Sequence, residues 1–142
     1  DYVPFLARGH GVEDIIEIHS RVGHAESLRQ QRRSDVLLLM QMDSPLEQGN
    51  VPGKFFEYLG ARRPILVLGW AKGVPATIVR QRGAGAALTE PEAIAEQLRA
   101  WLTIKEREGR LPDLSEEVCA GFTHEEQAAR LEGLLRDVLA KR

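Results

Sequence analysis

The residues best suited to chemistry in this sequence stand where a helix is predicted to begin, at Gly49-Asn50-Val51-Pro52-Gly53. A proline loses no amide hydrogen bond in the first turn of a helix, so Pro52 is compatible with a helix start. Gly49 and Gly53 have no Cβ and would let a ligand approach the backbone closely. The unpaired amides and the positive end of the helix dipole would then suit a phosphate group. The same pattern also describes an ordinary entry from a loop into a helix.

Two charged side chains follow on the same predicted helix. Lys54 and Glu57 are three residues apart and so lie on one side of the helix. The opposite side carries Phe55, Tyr58 and Leu59 and is predicted to face a sheet. The charged residues describe a surface ion pair worth roughly 0.2–0.5 kcal/mol. The same spacing is equally compatible with a ligand site. Glu57 would then accept hydrogen bonds from two sugar hydroxyls, and Lys54 would lie close to a phosphate.

The sequence offers no recognisable metal site. Asp43 and Glu47 could form a carboxylate pair, but a solvated loop explains them equally well. The histidines show no metal-ligand spacing with one another or with the single cysteine; these residues are His10, His19, His24, His124 and Cys119. We therefore predict no metal cofactor and name no catalytic residue.

Alternating strand and helix patterns are predicted to position these residues. Asp35 to Met40 is a continuous apolar run, as expected of a strand buried on both faces of a parallel sheet. The alternation indicates an α/β protein with a Rossmann-like parallel sheet flanked by helices. Ligands of such a sheet gather beyond the carboxyl ends of its strands. The other predicted strands cover residues 3–6, 15–19, 64–68 and 86–88, and the predicted helices cover residues 24–33, 52–61, 75–81, 91–102, 115–120 and 125–140.

Two helix signals stand in the second half of the chain. Thr89 and Glu92 have the spacing of a capping box, and Pro91 fits the first turn of the helix that would follow. Near the C-terminus an apolar stripe recurs at helical spacing. We predict that this stripe belongs to the core, with docking against a further domain as the alternative; it consists of Leu131, Leu134, Leu135 and Val138.

The composition limits the class of protein. With 43% apolar and 28% charged residues, the 142-residue chain is typical of one globular domain, and no internal boundary divides residues 1–142. A net charge of -2 without a basic stripe argues against nucleic-acid binding. The longest apolar run, Val36 to Met40, is too short to span a bilayer, and a single cysteine fits a reducing compartment. We therefore expect a cytoplasmic protein without a transmembrane segment.

The stretch GNVPGKFFEYLGARRPILVLG, which begins at Gly49, resembles a pattern shared by the retaining GT-B glycosyltransferases of family 4. In that family a Pro-x-Lys helix start precedes Phe-Glu-Tyr, a small residue, and a basic residue before proline and an apolar strand. The run from Ile18 to His24 is similar to the family's Phe-Leu-Gly-Arg-Val-Ser-His loop, and Ser34 to Leu38 is similar to its Ala-Asp-Val strand. The residues that match the main pattern are Pro52, Lys54, Phe56-Glu57-Tyr58, Ala61, Arg63-Pro64 and Ile65-Leu66.

The resemblance implies that the chain is the C-terminal domain of such an enzyme, which binds the nucleotide-diphosphate sugar. Glu57 would hold the ribose hydroxyls, the loop before residue 24 would lie beside the base, and the amides of residues 49–53 would lie near the diphosphate and the sugar. No metal is expected, because cationic side chains and helix amides would stabilise the leaving group. The implied donor-binding residues are Arg21, Val22, Gly49, Asn50, Val51, Gly53, Lys54 and Glu57.

The resemblance also implies parts that lie outside this chain. In the family an N-terminal domain binds the acceptor; it would be the partner of this chain and would leave peripheral membrane association open. The family's donor domain begins with a strand and a loop that carry an arginine and a lysine for the diphosphate, and residues 1–14 do not match them. We therefore expect the C-terminal half of a GT-B fold, incomplete at its N-terminus and inactive alone.

Two other interpretations remain open. A GT-B-type nucleotide-sugar epimerase or phosphorylase would share the donor site and carry out a different reaction. A flavodoxin-like or receiver-like α/β module that binds a partner would not be an enzyme. A receiver needs a phosphorylatable aspartate at a strand end near the site, and Asp35 stands at the opposite end of its predicted strand.

Overall fold

The computed structural model describes residues 2–141 and has an α/β fold, as the alternating pattern predicted. In this range a parallel sheet contains the strands β1 (Leu37–Met40), β2 (Ile65–Leu68) and β3 (Gly85–Leu88). No helix between residues 2 and 141 combines the length and the apolar composition needed to cross a bilayer. The helices are α1 (Tyr2–Gly9), α2 (His24–Arg33), α3 (Gly53–Ala61), α4 (Val74–Arg82), α5 (Pro91–Glu108), α6 (Glu116–Cys119) and α7 (His124–Ala140), with 3-10 turns at Glu13–Ile15 and Pro45–Glu47.

The sheet has the order β1-β2-β3, so strands that follow one another along the chain are also neighbours in space. Leu37 pairs with Ile65 at the start of the first ladder, and Ile65 pairs with Gly85 at the start of the second. A parallel connection must return to the same end of the sheet, and here α3 and α4 make the two returns. The carboxyl ends of the three strands therefore lie on the same side of the sheet. The loops that leave this side lead into α3 and α4.

The core fills the space between one face of the sheet and the helices α3 and α4. Phe55, Tyr58 and Leu59 are buried, as their spacing predicted. The Tyr58 hydroxyl also donates a hydrogen bond to the Leu38 carbonyl at 3.3 Å, which fixes α3 relative to β1. The other large buried side chains of this cluster are Leu37, Leu39, Ile65, Val67 and Val79.

Helix α3 ends at Arg62, which has a left-handed backbone conformation with φ 57°. A residue with a Cβ is disfavoured in this conformation by about 1–2 kcal/mol, and Arg62 makes contacts that offset this. Its Nε donates to the Leu114 carbonyl at 2.7 Å, and its own carbonyl accepts from the Leu114 amide at 2.9 Å. The segment that follows α5 is therefore tied to the end of α3.

Arg63 is a buried cation whose side chain is only 1% exposed. Its guanidinium donates to the carbonyls of Ser34 at 2.6 Å, Asp35 at 3.3 Å and Leu111 at 2.9 Å. It also forms an ion pair with the Asp113 carboxylate. Arg63 thus joins the segment before β1 to the segment after α5. The sequence pattern had matched this residue only as a basic position before proline.

The strands predicted near the N-terminus are wrong. Residues 3–6 lie in α1, and Pro4 stands in the first turn of that helix, where proline is tolerated. The run from Ile15 to His19 contains the end of a 3-10 turn followed by chain without secondary structure. Strand propensity expresses how well a side chain packs against neighbouring strands. Within residues 2–141 no strand pairs with this run, so its β-branched residues do not form one.

Strand β1 is shorter and more exposed than predicted. It begins at Leu37, two residues later than expected. Leu37 and Leu39 are buried, whereas Leu38 is 45% and Met40 is 72% exposed. The prediction that this strand is buried on both faces is wrong, because β1 forms an edge of the described sheet and α3 covers only one of its faces.

The capping box predicted at Thr89 and Glu92 does not form. Helix α5 begins at Pro91, so Glu90 rather than Thr89 is the N-cap residue, and no side chain caps the helix. Proline favours the first helical position and here sets the start of the helix. A capping box forms instead at α7, where Thr123 and Glu126 satisfy each other's backbone amides.

The apolar stripe of α7 is not part of the core. The side chains of Leu131, Leu134, Leu135 and Val138 are all more than half exposed. Helical spacing of apolar residues shows that one face of a helix is apolar, and burial requires in addition an element that covers this face. No element among residues 2–141 covers the stripe, so the prediction that it is core is wrong.

Asp35, which precedes β1, accepts hydrogen bonds that depend on the ionisation of its carboxyl group. Lys105 Nζ donates to Asp35 Oδ2 at 2.7 Å, and the Leu111 amide donates to Asp35 Oδ1 at 3.2 Å. These hydrogen bonds, that of Lys105 first, hold the pKa of the carboxyl below its usual value. A carboxyl whose pKa is lower in the folded chain stabilises the fold above its unfolded pKa. This stabilisation is lost as the pH falls through the folded pKa.

We expect Asp35→Asn to lower the free energy of unfolding at neutral pH by about 1 kcal/mol, because the carboxylate is partly exposed and water screens its ion pair. The difference from the wild type is expected to shrink as the pH falls below the native pKa of Asp35. Urea denaturation at neutral and at strongly acidic pH measures both values. Asp137→Asn, on the exposed surface of α7, is the matched control and is expected to change the free energy of unfolding at neutral pH by no more than about 0.5 kcal/mol. If the loss of unfolding free energy in Asp35→Asn stayed constant with pH, the ionised carboxylate of Asp35 would not be the source of the stabilisation.

Candidate functional site

A cleft of about 620 Å³ is bordered by residues of α2, α3 and α7. Helix α3 follows the loop that leaves β1, so its first turn lies on the carboxyl side of the sheet, where ligands of parallel sheets gather. The volume falls within the range of about 300–1,000 Å³ that is usual for small-molecule sites. We call this space the α3–α7 cleft; it is lined by His24, Gly53, Phe56, Glu57, Phe122, His124, Gln127 and Arg130.

Glu57 is the carboxylate of the α3–α7 cleft. Gln31 of α2 donates a hydrogen bond from Nε2 to Glu57 Oε2 at 2.9 Å, and the same Nε2 lies 3.3 Å from Ser27 Oγ. Gln31 is buried, so it holds one carboxylate oxygen in a fixed position. The other oxygen, Oε1, lies 3.9 Å from His24 Nδ1, and the Glu57 side chain is 33% exposed. One oxygen is therefore anchored by the protein, and the second remains available to accept hydrogen bonds.

The starts of α2 and α3 both reach this cleft, through His24 and Gly53. Their N-cap residues are Gly23 and Pro52, and neither helix has a side chain that caps its first amides. The first amides of a helix have no partner within the helix, and they carry the positive end of its dipole. Two uncapped helix starts therefore make this part of the cleft favourable for an anion.

An aromatic pair forms the apolar part of the lining. The rings of Phe56 and Phe122 lie 5.7 Å apart between centroids, and Phe56 is 41% exposed. Arg82 places its guanidinium 4.5 Å from the Phe122 ring centroid and donates to the carbonyls of Val118 and Ala120. The entry into α7 is thus attached to the end of α4, and this attachment positions the α7 side of the cleft.

Two of the residues predicted to bind the donor line the α3–α7 cleft, namely Gly53 and Glu57. Lys54 is exposed and forms no ion pair with Glu57, whose anchored oxygen binds Gln31 instead. Arg21 and Val22 are exposed in the segment that precedes α2 and do not contribute to the lining.

The loop before α3 contains the remaining predicted residues and lies beside the cleft rather than in its wall. Asn50 Nδ2 donates to Glu47 Oε2 at 2.7 Å, and the Asn50 carbonyl accepts from Gln41 Nε2 at 3.0 Å. Val51 packs against the core, and Gly49 is exposed. The hydrogen bond that Glu47 accepts from Asn50 gives this carboxylate a role in ordering the loop. The backbone of this loop is therefore held in one conformation two to four residues before the helix start.

Comparisons with protein-family models, with curated proteins and with solved structures found no match to the chain. The resemblance to the GT-B glycosyltransferases therefore stays a prediction. Within residues 2–141 no group of three or more His, Cys, Asp and Glu side chains could hold a metal ion.

Sequence reasoning did not find the α7 side of the cleft. Its residues are spaced by three and so share one face of the helix; they are His124, Gln127 and Arg130. The Thr-x-x-Glu spacing at Thr123 and Glu126 could have located the start of α7. Nothing in the local sequence indicates that this helix start lies beside α3, because that proximity depends on the contacts of Arg82.

Proposed function

We propose that this chain is the donor-binding domain of a retaining GT-B glycosyltransferase and that the α3–α7 cleft binds the nucleotide-diphosphate sugar. The observation that carries the proposal is the position of Glu57, a half-anchored carboxylate beside two uncapped helix starts. A ligand that suits both features has hydroxyl groups to donate and a strongly anionic group nearby. A nucleoside diphosphate has both.

In this proposal Glu57 binds the ribose. Gln31 occupies Oε2, and Oε1 is directed at the ribose hydroxyls, which donate hydrogen bonds to it. A hydrogen bond that involves a charged group contributes about 1.5–3 kcal/mol. The requirement is for an acceptor that carries charge, so an amide at this position would bind the same hydroxyls less well.

The diphosphate in this proposal lies at the start of α3. Gly53 has open space where a Cβ would stand, so a phosphate can approach its amide closely. The neighbouring loop of Gly49, Asn50 and Val51 leads into this helix start, and Lys54 adds a cation to its first turn. Arg21 and Val22, just before α2, are proposed to contact the base.

The reaction in this proposal is transfer of the glycosyl group to an acceptor with retention of configuration. Departure of the nucleoside diphosphate places negative charge on the leaving phosphate, and amides and cations positioned in advance stabilise that charge. The acceptor would bind to an N-terminal domain. We therefore expect the 142-residue chain alone to bind the donor weakly and to transfer no sugar.

A receiver-like function has less support. Asp35 precedes β1 at the amino end of the sheet, and its carboxylate is occupied by Lys105 and the Leu111 amide. In a receiver, the aspartate that accepts a phosphoryl group must be accessible at the carboxyl ends of the strands. Asp35 does not meet this requirement.

The proposal is tested by titrating the 142-residue chain with UDP, GDP, ADP and their sugars while amide chemical shifts are recorded. At least one of these ligands is expected to shift the resonances of Gln31, Gly53 and Glu57. Glu57→Gln is expected to weaken binding of that ligand by about 10- to 150-fold, which corresponds to the loss of the charge from these hydrogen bonds.

The matched control is Glu96→Gln, which removes an exposed carboxylate on α5 away from the cleft. It is expected to leave the affinity unchanged. The absence of any shift at millimolar concentrations of all these ligands would overturn the proposal, and equal affinities for the wild type and Glu57→Gln would remove Glu57 from the site.

A further inference from the structure

We propose that α7 supplies a further cation that binds the diphosphate, and that this cation is Arg130. The inference rests on the proposed function, since it assigns the phosphate part of the same nucleotide. It concerns a helix that the sequence resemblance did not connect with the donor at all.

The first support is the position of Arg130 in the cleft wall. His124, Gln127 and Arg130 stand on one face of α7, and all three line the α3–α7 cleft. Arg130 lies six residues after the start of α7, a rise of roughly 9 Å along the helix axis. The backbone of Arg130 is therefore displaced along α7 from its first turn, and its side chain lines the same cleft as Gly53 and Glu57 of α3.

The second support is the charge balance of the cleft. Arg130 forms no ion pair or hydrogen bond with any residue between 2 and 141, whereas Arg136 on the same helix is paired with Glu132 at 2.6 Å. Among the described residues that line the cleft, Glu57 is the sole carboxylate, and its single negative charge is matched by the single positive charge of Arg130. The two uncapped helix starts thus leave the cleft with an excess of positive charge. A diphosphate neutralises this excess, and a neutral nucleoside does not.

The third support is the geometry of the guanidinium and the attachment of its helix. Arginine presents parallel N–H groups that match two phosphate oxygens at once. The bonds from Arg82 to the Val118 and Ala120 carbonyls and the capping box at Thr123 fix where α7 begins. These contacts set the position of the helix start from which the Arg130 backbone follows.

The test uses the 142-residue chain and a series of nucleoside, nucleoside monophosphate and nucleoside diphosphate with the base that binds best. In the wild type the affinity is expected to rise along this series. Arg130→Gln is expected to weaken binding of the nucleoside diphosphate by about 10- to 150-fold. It is expected to leave the affinity for the nucleoside unchanged. Arg136→Gln removes an arginine from the same helix outside the cleft, and it is expected to change neither affinity.

The outcomes separate this inference from the proposed function. If the diphosphate binds in a Glu57-dependent manner and Arg130→Gln has no effect, or weakens nucleoside and diphosphate equally, the role of Arg130 is overturned and the donor site stands. If inorganic pyrophosphate binds in an Arg130-dependent manner and no nucleotide binds more tightly than pyrophosphate, the anion site stands and the donor function is overturned. If neither pyrophosphate nor any nucleotide binds, both are overturned.

Discussion

Replacing Gly85 with alanine is expected to lower the free energy of unfolding by about 3–5 kcal/mol. Gly85 begins β3 with φ 139°, a conformation that residues with a side chain rarely adopt. A Cβ at this position would lie 2.6 Å from the Ile65 amide nitrogen and closer still to the Ile65 carbonyl oxygen. These are backbone atoms of the central strand, and the Ile65 amide is bonded to the Ala84 carbonyl at 2.9 Å. The added carbon must therefore separate β3 from β2.

Urea denaturation followed by circular dichroism measures the effect. Gly60→Ala is the matched control, because Gly60 lies within α3 and a Cβ there would meet no atom within 4 Å. This variant is expected to raise the free energy of unfolding by about 0.5–1 kcal/mol, since alanine restricts the unfolded chain and favours the helix. A loss at Gly85 no larger than the roughly 1 kcal/mol of an average substitution would refute the steric argument.

Replacing Arg63 with methionine is expected to destabilise the fold by a similar amount, about 3–5 kcal/mol. Methionine retains much of the apolar stem of arginine and removes the guanidinium. The carbonyls of Ser34, Asp35 and Leu111 then lose their shared donor at a site from which water is largely excluded. Each buried acceptor without a partner costs about 1–3 kcal/mol. A lower midpoint of urea denaturation with an unchanged slope is the expected result.

Arg110→Met provides the matched comparison. Arg110 contacts the same carboxylate, with its guanidinium 2.9 Å from Asp113 Oδ1, but its side chain is exposed. Water screens such an ion pair, so the expected change is within about 0.5 kcal/mol. If the two methionine variants had equal stability, the contribution of Arg63 would come from its charge alone and not from its burial.

The sequence predicted most of the fold between His24 and Leu88 correctly. In this range the helices and strands alternate, and each has a local cause, such as the apolar run of β1 or the proline near the start of α3. The spacing of Phe55, Tyr58 and Leu59 correctly indicated the buried side of α3. These features depend on neighbours within a few residues, and for this reason a single sequence is sufficient to predict them.

The errors arose where a local pattern needed a distant partner. The run from Ile15 to His19 has the composition of a strand, yet a strand also needs a ladder, and nothing in the run specifies one. The wrong predictions of burial for β1 and α7 have the same cause. The spacing of apolar residues does not show whether another element covers the face that they form. Proline decided the start of α5 against the capping pattern at Thr89.

The site was predictable in part for the same reason. The helix start at Gly53 and the carboxylate Glu57 belong to one continuous stretch, and the family resemblance lies in that stretch. The partner of Glu57 is Gln31 in a different helix, and the opposite wall comes from a helix near the C-terminus. Such contacts depend on how whole elements pack, and the residues themselves carry no local mark of them.

The exposed apolar stripe of α7 also has a consequence for hydrogen exchange. The residues of α7 are exposed along the whole helix, and three of them near its start, His124, Gln127 and Arg130, line the α3–α7 cleft. Segments with few buried contacts open locally at a free energy far below that of global unfolding. The amides of α7 are therefore expected to exchange much faster than those of β2. A ligand that contacts both α3 and α7 would close this local opening, so part of its binding free energy would be measurable as slower exchange along a helix that it touches only near one end.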